Sequence, residues 1–323
     1  ESEEAALRKS LPPLDLKTPQ QSYYHAPDQK TALLPNPPDP ILAGERVNPM
    51  TGLKEPRIFP KTYGCDGGVD YGMFYTLRSG TAAFYDKTLE SGTVFISGPR
   101  SGCTNSIIPS GGLLNVPYFY EGCTCSYPLP TALSMVAMPE THEQWSSWGD
   151  DAVKPASIER IGLNFGAPGD RKTRDGTLWL DYPSVGGPSP QIKVVTKPEN
   201  PTFHYRHSNW MKGGDAWPWV AASAVEGLEE LTLHDLKPGN YTVKLYFAEL
   251  DGVAAGDRVQ SISLQGNAAL TDFDVRSTAR ATMTGIVEES GDVIIDGTLT
   301  INFQSIRGKS LISGIEIIRR RDR

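Results

Sequence analysis

The stretch NYTVKLYFAELDG, residues 240–252, decides the fold. In an extended chain Tyr241, Val243, Leu245 and Phe247 fall on one side, and Thr242, Lys244 and Tyr246 on the other. Apolar side chains at alternate positions predict a strand with one buried face. It is entered from the turn Lys237-Pro238-Gly239-Asn240 and left at Leu250-Asp251-Gly252, which predicts an antiparallel sheet whose loops are free to carry a site. Leu299, Ile301 and Phe303, alternating with Thr298, Thr300 and Asn302, repeat the signature.

The chain has 323 residues, of which 38% are hydrophobic, enough for two domains with real cores. Its 32 glycines and 26 prolines punctuate short β-branched and aromatic runs, so an all-β protein is expected. A net charge of -7 offers no basic field to nucleic-acid phosphates, and the one cationic run, Arg319-Arg320-Arg321, sits at the C-terminal end. No apolar run reaches the roughly 18 residues that a membrane-spanning helix needs. The first residue is Glu1 rather than Met, which reads as a removed signal or as a piece of a longer polypeptide. Cys65, Cys103, Cys123 and Cys125 lie within about 60 residues of one another and fit two disulfides, with three pairings open, in an oxidising, extracytoplasmic compartment. A single spacer in CTC and the lack of any C-x-x-C argue against zinc or covalent haem.

Four segments follow along the chain. Residues 1–45 hold a proline-rich run that excludes regular helix and central strand, and read as an extended arm. Residues 46–145 carry short strands bounded by Gly or Pro at the spacing of propeller blades. Residues 146–157 read as a linker, within the polar and aromatic stretch ETHEQWSSWGDDAVKPAS that starts at Glu140. From 158 to 320 about nine or ten longer strands without helical period predict a two-sheet sandwich.

Two resemblances refine this. VNPMTGLKEPR, LRSGTAAFYD, RSGCTNSIIPSGGLLNVP and CTCSYPLPTALSMVAMP resemble the closing segment of secreted bacterial proteins with PQQ-like β-propeller repeats. That resemblance implies partial propeller blades here and further blades upstream or in another protein chain; it implies no bound quinone. IGLNFGAPGDRKTRDGTLWLDYP, LKPGNYTVKLYFAE, GDRVQSISLQGNAALTDFDV, DGTLTINF and LISGIEII resemble, in order, the malectin-like carbohydrate-binding β-sandwich, a jelly-roll type. A glycan or polysaccharide partner is what this second resemblance implies.

Sugar recognition stacks a C–H face on an aromatic ring while carboxylates and amides take the hydroxyls. The loop GAPGDRKTRDGTLWLDYP offers Trp179, Asp181 and Tyr182, and Asp181-Tyr182 matches an Asp-Tyr of the malectin ligand face. FHYRHSNWMKGGDAWPWVAAS offers Tyr205 and Trp210, with Tyr205 near a second contacting tyrosine of that family. Asp251 completes the candidate set. Trp179 and the tryptophans of the second stretch have a competing use as core. The sequence departs from the family at Leu250-Asp251-Gly252, where adjacent aromatics are expected, and at RGKSL, where an Asp is expected. This opens the ligand to another glycan, or the domain to a structural role.

Other chemistry is thin. His204 and His207 point to opposite faces of a strand and make no metal pair. DGGVDYG and GDRKTRDG could donate oxygens to a structural calcium, without the spacing of an EF-hand, and no other cofactor is evident. Glu249 and Asp251 share a side of a strand, as an acid and base pair would, but end-of-strand carboxylates are common. The sequon Asn240-Tyr241-Thr242 is explained by its turn. Phosphate-loop, G-x-S-x-G and H-E-x-x-H motifs are missing from the sequence. The expected function is a carbohydrate-binding or docking module. The alternatives are the C-terminal part of a quinoprotein-type dehydrogenase or polysaccharide-processing enzyme, and a structural subunit of a surface assembly.

Overall fold

The alternation in Gly239–Phe247 is what the fold is built around. Tyr241, Val243, Leu245 and Phe247 are all buried on the face it predicts. This strand pairs with Gly314–Arg319 on one side and with Thr284–Ile295 on the other, both antiparallel. A computed structural model describes residues 44–61, 67–96, 107–117, 132–150 and 152–320.

The strand lies inside a seven-stranded sheet ordered Arg171–Lys172, Leu178–Tyr182, Arg160–Phe165, Gly314–Arg319, Gly239–Phe247, Thr284–Ile295 and Gly213–Gly214. Across from it stands a five-stranded antiparallel sheet ordered Val194–Lys197, Glu230–Leu233, Leu299–Arg307, Val259–Leu264 and Asn267–Phe273. Leu163, Phe165, Val243, Leu245 and Ile317 of the first sheet share one core cluster with Leu231, Leu233, Ile262, Leu299 and Ile301 of the second. That shared core is the sandwich. A three-stranded sheet, Thr202–Tyr205, Ser223–Glu226 and Leu311–Ile312, sits beside it.

The second face of the central strand differs from expectation. Tyr246 points away from the sandwich core yet is buried, because Trp179 packs edge-on against it with ring centroids 5.0 Å apart. Trp179 in turn meets Trp219 at 5.7 Å, and Trp219 meets Trp145 at 6.1 Å. Gly162 makes room for this layer: a Cβ there would sit 2.3 Å from the Trp179 ring. One face of the seven-stranded sheet is therefore covered by a sheet and the other, around Tyr246, by aromatic rings, while Thr242 and Lys244 on that second face remain half-buried.

Before the sandwich, Val69–Asp70, Phe74–Ser79, Thr81–Asp86 and Thr93–Ile96 form an antiparallel meander, to which Ser146–Ser147 adds at the edge. Ile108–Ser110, Leu113–Val116 and Leu133–Met135 make a separate three-stranded sheet. These are the strands expected over 46–145, and among the described residues they do not close into a propeller. The four cysteines and all but the last two residues of the proline-rich arm fall outside the described residues.

The hairpin of Glu45–Val47 and Lys54–Pro56 stands apart from those sheets. Its turn places Met50, 1% exposed, in the core cluster of the sandwich. The Met50 carbonyl accepts from both Glu159 N at 2.6 Å and Arg160 N at 3.1 Å, the start of the first sandwich strand. Behind it the Arg46 guanidinium lies 4.0 Å over the Trp148 ring and donates to Glu55 at 2.7 Å. Truncating Met50 removes a thioether from a filled core, and Met50→Ala is expected to lower stability by about 2–5 kcal/mol. Chemical denaturation monitored by sandwich tryptophan fluorescence measures this; a loss below about 0.5 kcal/mol would mean the hairpin is only laid on the surface.

Candidate functional site

At one end of the sandwich the strand Thr202–Tyr205 runs into a loop and a single 3-10 turn, Ser208–Trp210. His207 caps that turn, its Nδ1 accepting from Asn209 N at 3.2 Å. Phe203 and Tyr205 share a face of the strand, and Phe203 meets Tyr182 edge-on at 6.2 Å. Tyr205 is 39% exposed and Trp210 60% exposed. The Arg206 guanidinium reaches Asp251 across 3.5 Å, bringing the loop after the central strand to the same place. Tyr182 and Tyr205, at the ends of their strands, thus neighbour the loops of Trp210 and Asp251; Tyr205, Trp210 and Asp251 are exposed, and Tyr182 is partly buried against the sandwich core.

Glu143, from the segment before the sandwich, fastens this loop. One carboxylate oxygen accepts from the Tyr205 hydroxyl and from Trp145 Nε1 at 2.9 Å; the other accepts from Ser208 N at 2.7 Å and lies 3.4 Å from His207 Nδ1. Burial works against the Glu143 charge, but the bonds from Ser208, Tyr205 and Trp145 outweigh it and hold the carboxyl below its ordinary range. Burial, then the neighbouring Glu143 carboxylate, push the Tyr205 phenol well above its ordinary value.

Trp179 and Asp181 stand elsewhere. Trp179, 1% exposed, belongs to the aromatic layer over Tyr246 and presents no ring to a sugar. Asp181, 4% exposed, uses Oδ2 to accept from Val185 N at 2.8 Å and Gly186 N at 2.9 Å, closing the turn after its strand. The sequence joins both to Tyr182 because all three fall in the one stretch GAPGDRKTRDGTLWLDYP and Asp181-Tyr182 matches the malectin Asp-Tyr. The strand instead sends Tyr182 to the surface end and Trp179 into the interior. Arg206 stands in the FHYRHSN stretch already singled out as a candidate cluster, whereas Glu143 was missed, because ETHEQW carries no spacing that marks a long-range contact.

Asp170 is held from three directions. Its Oδ1 accepts from Ser189 Oγ at 2.7 Å and Asp181 N at 3.3 Å, and its Oδ2 from Trp148 N at 3.2 Å. Burial, then the Asp181 charge, raise its pKa well above the ordinary carboxyl value, while Oδ1 of Asp181 is buried with no hydrogen-bond partner. Asp175, the other aspartate of GDRKTRDG, takes a bond from Thr177 N at 3.2 Å and pairs with Arg160 at 3.3 Å. Among the described residues no three His, Cys, Asp or Glu side chains gather as a metal site. His204 approaches Glu226 at 3.6 Å and His207 approaches Glu143, so the two histidines diverge.

Glu249 and Asp251 also separate. Glu249 is buried and bonded to Arg258 Nε at 3.0 Å, and Arg258 extends to Glu226 at 3.0 Å and to the Lys309 carbonyl at 2.8 Å. Burial raises the Glu249 pKa against the pull of Arg258. Asp251 is exposed and paired with Arg206. A cleft of about 650 Å³ lies away from these loops, between the hairpin and the sandwich, and no aromatic ring lines it. Its charged groups are spent on the protein: Lys172 Nζ donates to the Leu89 carbonyl at 2.6 Å, and Arg160 Nε to Thr177 at 2.7 Å.

With this geometry in place, comparison with known proteins gives one family. Residues 232–319 match the malectin domain, so a malectin domain forms the C-terminal part of the chain. No curated protein matches. Among solved structures, Bacteroides uniformis beta-glucuronidase 2 is similar at 13% identity and a TM-score of 0.40, over 50% of this chain and 18% of that one. The ANXUR2 extracellular domain from Arabidopsis thaliana is similar at 18% identity and a TM-score of 0.38, over 50% and 41%. The ANX1 ectodomain from the same plant shows 12% identity and a TM-score of 0.40, over 58% and 56%. The chain spans less than a fifth of the length of the bacterial glucuronidase and 41% and 56% of the two plant ectodomains.

The Asp170–Asp181 pair makes a prediction with a definite sign. A carboxyl whose folded-state pKa is raised keeps a proton that the unfolded chain releases, so stability falls as pH rises through the window above the ordinary carboxyl value. Asp181→Asn removes the like charge and puts a donor where the unpartnered oxygen stands. It is expected to flatten that slope and to add on the order of 1 kcal/mol at neutral pH. Melting temperatures of both proteins from pH 4 to 8 check it; an unchanged slope, or a loss of stability at pH 7, would count against the assignment.

Proposed function

We propose that the chain is a non-catalytic carbohydrate-binding module, with the Tyr205–Trp210 loop, Tyr182 and the Arg206–Asp251 pair as its binding surface. The observation that carries the reading is the joint exposure of Tyr205 and Trp210 beside a charged pair, in a chain whose C-terminal part is a malectin domain. Two exposed rings can stack on sugar faces, while Arg206 and Asp251 supply donors and acceptors to hydroxyls. The malectin domain points to carbohydrate binding and to an extracellular or luminal setting; a periplasmic or secreted location, with disulfides among Cys65, Cys103, Cys123 and Cys125, is part of this proposal.

A second reading, docking to further protein, draws on the sheet of Ile108–Ser110, Leu113–Val116 and Leu133–Met135. Ile108 and Leu113 lie on its exposed face, with Val136 and Met138 exposed just beyond its last strand. In this reading that sheet and the Val69–Ile96 meander are the closing blades of a PQQ-like propeller, and the apolar side chains meet another blade, upstream or in a partner chain. A quinoprotein or polysaccharide-processing activity would then belong to the larger assembly.

Titration of the full chain with cellotetraose, xylotetraose, mannotetraose and tetragalacturonate tests the first reading. Trp210→Ala is expected to weaken whichever tetrasaccharide binds by about tenfold, a loss of roughly 1.4 kcal/mol. Asp181→Asn is expected to leave its affinity unchanged. If binding survives Trp210→Ala but fails in Asp181→Asn, the surface has been placed on the wrong side of the strand.

A further inference from the structure

We propose that Glu143 is the positioning residue of the sugar-binding loop, so that the binding surface of the sandwich is set by the segment preceding it. The inference rests on the reading of Tyr205 and Trp210 as the stacking rings. One carboxylate gathers the Tyr205 hydroxyl, Trp145 Nε1 and Ser208 N, and approaches His207. Ser208 N begins the 3-10 turn that ends at Trp210. The same side chain therefore fixes where one ring stands and where the turn bearing the other begins.

A positioning group must itself be held, and Glu143 is held on both sides. Upstream, the Glu140 carbonyl accepts from Trp219 Nε1 at 3.2 Å and from Arg171, and the His142 carbonyl accepts from Arg171 Nη1 at 2.6 Å. Arg171 lies 4.5 Å over the Trp219 ring, so this anchor is itself locked by stacking. Downstream, Trp145 packs edge-on against Trp219, and Ser146 forms a pair of 2.8 Å backbone bonds with Asp170. Only 8% of the Glu143 side chain is exposed, too little for it to be a sugar contact. Its effect passes through the loop. Preorganisation of this kind removes ordering cost from the binding step.

The acceptors are what matter. Glutamate offers both oxygens; glutamine keeps one acceptor and turns a donor toward the remaining N–H or O–H groups, and alanine keeps neither. The titratable and charged groups around Glu143 are Tyr205 and His207 from the loop and Arg171 from the sandwich edge, on which Glu140 of the same segment also acts. A carboxyl held below its ordinary range gives loop order that is present above the unfolded value and lost as pH falls through the folded one.

Amide hydrogen exchange and tetrasaccharide titration on the full chain, for wild type, Glu143→Ala, Glu143→Gln and Trp210→Ala, test this. Expected are faster exchange of the Ser208–Trp210 amides in Glu143→Ala, by at least about tenfold, a smaller rise in Glu143→Gln, and no rise in Trp210→Ala. Affinity is expected to drop in the same order for the two Glu143 variants, and in wild type when pH is lowered below the ordinary carboxyl range. Unchanged exchange at Ser208–Trp210 in both Glu143 variants overturns the proposal, and so does raised exchange with wild-type affinity. If no tetrasaccharide binds wild type, the sugar reading fails while the exchange result still decides whether Glu143 sets the loop. Should Glu143→Ala not fold, Glu143→Gln and the low-pH exchange of wild type carry the same test.

Discussion

The pair of backbone hydrogen bonds between Ser146 and Asp170 is the constraint on which the site depends. Ser146 pairs with Val94 on one side and with Asp170 on the other, so one residue belongs to the edge of the N-terminal meander and to the first loop of the sandwich. Such bonds fix both direction and register. They place Trp148 on the Asp170 carboxylate and in the sandwich core, and Glu143, three residues upstream, beside the 205–210 loop. A tether that merely joined two domains would do neither.

The same constraint explains why Asp170 is retained in so costly a form. A buried carboxyl next to a second carboxyl is unfavourable as an ion, and the structure answers with donors from three separate segments. Trp148 N, Asp181 N and Ser189 Oγ lie on the incoming segment, on a strand of the main sheet and in the loop after that strand. No apolar residue could tie those three together. The gain from these bonds is in fixing where the sandwich begins rather than in net stability.

How far the sequence could be read follows from what each feature depends on. The buried face of Gly239–Phe247 was legible because it needs only period-two alternation, and the same holds for Leu299, Ile301 and Phe303. The burial of Tyr246 was not, since its cover comes from Trp179 and Trp219, distant in sequence. Trp179 beside Asp181 and Tyr182 looks like a sugar loop when read locally. Its true role rests on Gly162, whose missing side chain opens space for the indole from the neighbouring strand. Glu143 was illegible for the opposite reason: its partners, Tyr205 and Ser208, lie 62 and 65 residues away and respect no pattern.

Glu249 and Asp251, two residues apart at the end of the central strand, differ in burial and in partners. Acid catalysis of glycoside cleavage needs a carboxyl that keeps its proton and can also be reached by the glycosidic oxygen. Glu249 has the raised pKa but is 1% exposed and tied to Arg258. Asp251 has the access and is paired with the Arg206 guanidinium at 3.5 Å. Tyr205, Trp210 and the Arg206–Asp251 pair need only surface and hydrogen-bonding capacity, which they retain. Under the proposed carbohydrate-binding reading, these groups would hold a sugar by stacking and hydrogen bonding alone.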